Sequence, residues 1–204
     1  MTAWRSVYKF GIVVIIILLQ YEGKSQLNSY QPLIDSVSKY CGLFISNSPV
    51  RQMRLDTSDV DILAYQSDLK EESGRKIGID TLSELIKKST RCDTTYWLDS
   101  EIKDAILIKS RNEEVDISAA VEKMKRSSQR FKKMELQIIK FNESNPVNRN
   151  IFYLSRPIFD ASKTYALIYK DNGHSGLAGG GSVDVYHFEN GEWYNLGAIS
   201  RWRH

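Results

Sequence analysis

Asn190-Gly191 lies between two runs that alternate in polarity, Ser182 to Phe188 before it and Trp193 to Ile199 after it. A two-residue type I′ turn needs positive φ at both central residues, and Asn-Gly tolerates this. The pair therefore commits the C-terminal part of the chain to an antiparallel hairpin. Pairing outward from the turn sets Phe188 opposite Trp193, His187 opposite Tyr194 and Val185 opposite Leu196. One face then carries Val183, Val185, His187, Tyr194, Leu196 and Ala198, and the other carries Tyr186, Phe188, Trp193 and Ile199. Both faces have apolar surface to bury. Helices are expected on one, and a partner or aromatic packing on the other.

The chain changes character near residue 145. After it, Ile151 to Ser155 and Pro157 to Phe159 read as one strand interrupted or edged by Pro157. Thr164 to Tyr169 reads as another. Before residue 145 the apolar period is mostly helical. Leu33, Val37, Tyr40, Cys41 and Phe44 predict a helix over Pro32 to Phe44, with the proline in its first turn. Shorter helices are expected over Val60 to Leu69 and Ile79 to Ile86, the latter capped by Asp80 or Thr81. Asp116 opens a stronger one, expected to run to Lys133. Tyr96 to Ile108 reads either as a helix or as ending in a strand over Ala105 to Lys109. Leu136 to Phe141 has strand composition, and Asn142 to Asn150 reads as a connection. The expected class is α+β: a helical part (26–145) packed on an antiparallel meander of four to five strands (146–204), together one domain over residues 26–204.

At the N-terminus, Arg5 and Lys9 precede an apolar run of ten residues, Phe10 to Leu19, with small residues at Gly23 and Ser25. This is the pattern of a secretory signal. The run falls well short of the about 20 apolar residues that cross a bilayer. Cleavage between Ser25 and Gln26 is expected, leaving no integral span, with tethering by an uncleaved signal anchor as the alternative. The protein is then periplasmic or extracellular. Loss of residues 1–25 removes Arg5, Lys9, Lys24 and Glu22, so the formal charge falls from +3 to +1. Such a chain has no global field for nucleic acid, and no nucleic-acid partner is expected. Cys41 and Cys92 form an even pair in an exported chain, which suggests one disulfide; two buried free thiols are the other reading.

The C-terminal stretches Ser155-Arg-Pro-Ile-Phe159, Tyr165-Ala-Leu167, Gly176-Leu-Ala-Gly-Gly-Gly181 and Asn190-Gly-Glu-Trp193 resemble the shared ending of a group of uncharacterised exported bacterial proteins. The resemblance covers residues 151–202 and implies an export-associated α+β domain. It brings no catalytic residues. Similar proteins often carry a cysteine pair in the glycine loop, where this chain has His174 and Ala178.

Five of the ten glycines outside the signal fall between Gly173 and Gly181. Successive N–H groups of such a loop can form an anion nest. The loop lacks the Lys-Ser/Thr ending of a phosphate loop, and a strand follows it. Gly176, Gly179, Gly180, Gly181 and Trp193 are the candidate binding residues. The competing view is a wide turn whose glycines permit positive φ. His174, Asp171 and His187 are the only candidate acid–base group. No metal-ligand spacing, serine-hydrolase elbow or cysteine-hydrolase context occurs, so neither a metal nor a cofactor is expected. Lys123, Arg126, Arg130 and Lys133 fall along one stripe of the expected helix, either as an anion-binding face or as a solvated one. The leading expectation is a non-enzymatic binding domain in the cell envelope, with a protein, glycan or small ligand as partner. A hydrolase with its site near the glycine loop is the alternative.

Overall fold

The computed structural model describes residues 30–51, 53, 55, 58–125, 133–173 and 179–203. The expected signal, residues 1–25, lies outside these. A first helix, α1, covers residues 30–38. Then come β1 (Phe44–Ser46), α2 (Asp59–Ser73), α3 (Ile79–Lys88), β2 (Ile106–Ile108), α4 (Ile117–Met124) and α5 (Met134–Glu143). A 3-10 turn (Pro146–Asn148) leads into β3 (Ile151–Leu154), β4 (Ile158–Phe159), β5 (Tyr165–Gly173), β6 (Gly180–Glu189) and β7 (Glu192–Arg203). The class is α+β. All seven strands join one mixed sheet of order β2-β1-β3-β5-β6-β7, with β4 also paired to β5.

The sheet is larger than the expected meander because the N-terminal half contributes to it. β1 lies between β2 and β3 and runs parallel to both. The sequence view of a helix to Phe44 is therefore corrected: α1 stops by residue 38, and Phe44 begins a strand. The three-residue strands β1 and β2 are too short to show a period of two. Their apolar residues extend the helical pattern before them by accident. The ambiguous 96–108 segment ends as a strand, and Leu136 to Phe141 is helical rather than extended.

Local signals account for several boundaries. Ser58 caps α2 by accepting from Asp61 N at 3.2 Å, and Gly74 (φ 68°) ends it in the left-handed region. Asp116 caps α4 by accepting from Ala119 N at 3.0 Å, as expected. In α3, however, Gly78 holds the cap position and no side chain caps it; Asp80 already lies in the first turn. α4 closes at Met124, short of the expected Lys133. The hairpin turn forms as the sequence requires, with φ of 54° at Asn190 and 86° at Gly191. Pro157 interrupts the strand before β5, and Ser155 bridges the gap: its N–H donates to Tyr169 O, and its Oγ accepts from Tyr169 N at 3.0 Å.

Two irregularities change the β6–β7 register. Phe188 faces Trp193 and His187 faces Tyr194 as expected, but Val185 pairs with Gly197 and Val183 with Ser200. Leu196 and Ile199 are the extra residues of two bulges. Both pack with Val183 and Val185, so Ile199 changes face relative to the simple alternation.

The two faces are covered differently. α2 and α3 bury Ile62, Leu69, Leu82, Leu85 and Ile86 against Leu167, Val183, Val185 and Leu196. α4 and α5 cover the same side nearer β2, where Ala120, Met124, Ile138 and Phe141 meet Phe44, Ile106, Ile108 and Ile151. The opposite side takes α1, through Leu33, Ile34 and Val37, together with Trp97 and Ile102, against Ile45, Leu154, Ile168 and Tyr186. Aromatic packing completes it: Trp193 lies 5.1 Å from Phe188 and 5.9 Å from Phe159, centroid to centroid.

Candidate functional site

Of the glycine segment, His174 and Gly176 lie outside the described residues. Gly179, Gly180 and Gly181 edge an open cleft of about 670 Å³ shared with Arg201, Trp202 and Arg203. Gly180 and Gly181 have a local packing reason. A Cβ on Gly181 would come within 2.2 Å of Trp202 Cζ2 and 2.4 Å of Lys170 O, and one on Gly180 within 2.6 Å of Trp202 O. Trp202 lies across Gly181 and against Tyr169, 4.8 Å between ring centroids. Arg201 is engaged by Glu72, at 2.6 and 2.7 Å to the two carboxylate oxygens.

The acid–base candidates do not assemble as far as they are described. Asp171 pairs with Gly181 in the sheet and accepts from Tyr169 OH at 3.1 Å. Burial, then the Asp171 charge and hydrogen bond, push the Tyr169 phenol well up. His187 pairs with Tyr165 at the other end of the same two strands and stacks on it at 4.4 Å. The six-residue offset along β5 corresponds to about 20 Å. Among the described residues no cluster of His, Cys, Asp or Glu could hold a metal ion. Trp193 is 8 % exposed and belongs to the core on the α1 side.

Cys41 and Cys92 are free and buried, so the suggested disulfide is absent. The cause is topological. Cys41 packs with the α1 side of the sheet and Cys92 with the α2–α3 side. Burial pushes the Cys41 thiol up to about 12 and raises that of Cys92. The expected basic stripe is likewise divided. Lys123 belongs to α4, where it pairs with Asp99, while Lys133 precedes α5 with φ 59°. Arg126 and Arg130 lie outside the described residues.

Two buried polar groups went unread in the sequence. Arg156 clamps Tyr30 of α1: it pairs with both oxygens of Glu101, bonds Tyr30 OH, donates to Thr95 O and Tyr96 O, and stacks 4.0 Å above Trp97. Burial opposes the Glu101 charge, but hydrogen bonds from Arg156 and Leu98 N outweigh it and hold the carboxyl below its ordinary value. Burial, helped by the charges of Glu101 and Asp93, carries the Tyr30 phenol to about 12 against the pull of Arg156. The second group is Lys170 paired with Asp184, where Asp184 also accepts from Asn195 Nδ2 at 3.0 Å. Both groups join residues far apart in the chain, so no local spacing announces them.

A larger cleft lies elsewhere, between α4 and the 99–107 stretch, with a volume of about 790 Å³. β2 forms its floor through Ile106 and Leu107. β2 is the end strand of the sheet, and β1 is its only strand partner among the described residues. Ala119 and Ala120 on α4 are small, which leaves the groove open. Its lining holds Asp99, Glu113, Glu114, Asp116 and Glu122 against Lys103 and Lys123, a formal charge of −3. Neither ammonium is spare: Lys123 pairs with Asp99, and Lys103 faces Asp35 at 3.8 Å. Acidic residues at 113–116 read locally as a helix cap and its approach; only the fold sets them beside a sheet edge.

No family model, curated protein or solved structure matches this chain.

Proposed function

We propose that this chain is an exported, non-enzymatic binding domain of the cell envelope, and that it holds its ligand in the cleft along β2. The observation that carries this reading is the union of a groove of about 790 Å³ with an open sheet edge and a lining in which carboxylates outnumber ammonium groups. A groove with an apolar floor and a few polar groups is the usual form of a binding site. Export rests on the charged and apolar pattern of residues 5–25. The binding reading also draws support from the spread of the acid–base candidates: His187 and Asp171 sit at opposite ends of β5 and β6.

Ala119→Trp tests the cleft. Ala119 is exposed on α4, so the larger side chain fills the groove without entering the core. The expected result is an unchanged Tm with loss of envelope components that the wild-type protein retains on a column. Retention of the same components by the variant removes the cleft from consideration.

A further inference from the structure

The edge of β2 defines what kind of ligand the cleft suits. Ile106 N donates to Leu43 O, and Asn47 N donates to Ile108 O. In a parallel ladder the residue between two such partners turns its own N–H and C=O the other way. Leu107 therefore presents a donor and an acceptor away from β1, into the groove whose floor it forms. Polar backbone groups on an open edge are a template for another strand. The wall facing them carries two alanines, which leave room for a backbone to lie alongside. The charge of the lining selects among strands, because the five carboxylates outnumber the two ammonium groups.

Resting on the binding role proposed above, we propose that the occupant is an extended peptide segment rich in lysine or arginine, which adds to the sheet beside β2. Backbone hydrogen bonds to Leu107 supply the register, and alternate side chains divide the work. One set packs on Ile106 and Leu107, and the cationic set meets Glu113 and Glu114, since Glu122 already pairs with Lys125 at 2.9 Å.

The test uses the purified protein and three synthetic peptides. One is Lys-Val-Lys-Val-Lys-Val, one replaces lysine by glutamate, and one keeps lysine with every second amide N-methylated, made in both registers. Fluorescence anisotropy gives affinity, and hydrogen exchange reads the Leu107 amide. Binding of the first peptide is expected, with Leu107 exchange slowed at saturation. The N-methylated peptide of the matching register should bind about tenfold more weakly, the equivalent of a lost hydrogen bond or two. Glu114→Lys should weaken the basic peptide about fivefold, and added salt should weaken it further. Glu114 is exposed, so this variant is expected to fold. Leu107→Pro is a second variant: it removes the outward N–H at a position where an edge strand accepts proline.

Equal binding of acidic and basic peptides overturns the proposal, as does Leu107 exchange unchanged by saturating peptide. Absence of binding by the basic peptide also overturns it, and a concentration-dependent dimer that protects Leu107 assigns the edge to a second copy instead. If the peptides fail while Ala119→Trp still abolishes ligand retention, the strand proposal falls and the cleft reading stands. If the basic peptide binds and Ala119→Trp is without effect on any ligand, both fall.

Discussion

At the scale of single residues, Arg156 and Glu101 carry the clearest energetic statement. Their side chains are 8 % and 22 % exposed, and removing one partner strands the other in a desolvated setting. Glu101→Gln should cost about 3 kcal/mol at neutral pH. The Glu101 carboxyl is held below its ordinary value, so its charge stabilises the fold above the unfolded value of about 4.3. That contribution disappears as pH falls through the lower folded value. The gap between wild type and Glu101→Gln in urea midpoints should accordingly be wide at pH 7 and narrow in strong acid; a gap independent of pH would point to shape rather than charge. Gly181 makes a steric statement. Gly181→Ala should cost about 2 kcal/mol through the forced shift of Trp202. Gly78→Ala is the comparison: its new methyl meets nothing closer than Thr81 Oγ1 at 3.5 Å, so only the smaller cost of alanine at a helix N-cap is expected. Thermal melts with tryptophan emission separate the two.

Among elements, α4 depends on its cap. Asp116→Ala should lose about 1 kcal/mol by chemical denaturation, with Asp116→Asn close to wild type. Elements that announce themselves in this way were legible in the sequence: the Asn190-Gly191 hairpin, the Pro157 interruption, the Asp116 helix start. Each depends on residues a few positions apart. What escaped depends on distant partners. β1 and β2 are three residues long and become strands only through their partners in the sheet, β2 beside β1 and β1 between β2 and β3. The bulges at Leu196 and Ile199 follow from the need to bury both residues against α2 and α3, which no alternation rule contains. The candidate site divides along the same line. The glycine segment drew the eye by composition, yet Gly180 and Gly181 have a packing role. The groove along β2 is assembled from stretches at 99–107 and 113–123, whose separate patterns suggest only a loop and a capped helix.

For the whole molecule, the sheet acts as a partition. It keeps Cys41 and Cys92 apart, so a reducing agent should leave Tm unchanged. Burial also keeps both thiols protonated at neutral pH, most strongly Cys41 at about 12. Iodoacetamide labelling of the native protein should proceed at the rate of opening, and fast labelling should appear only in denaturant. Labelling of either thiol at the rate of a free peptide would contradict its buried position. Among the described residues no helix is long and apolar enough to cross a membrane.

The placement of β1 has a consequence for how the chain reaches its final form. Ile45 pairs with Phe152, so the middle of the sheet joins residues more than a hundred positions apart. A chain made or threaded from its N-terminus presents β1 long before β3 exists to receive it. Closing so wide a loop is slow, and the early half must wait with Phe44 and Ile45 uncovered. The β6–β7 hairpin, by contrast, can form as soon as its turn is available. Of the described strands, the pair that emerges last is thus the first able to fold, and the sheet completes itself backwards. A polypeptide ending at residue 145 should show little native tertiary signal by near-ultraviolet circular dichroism, whereas one cut only after β7 should show all of it.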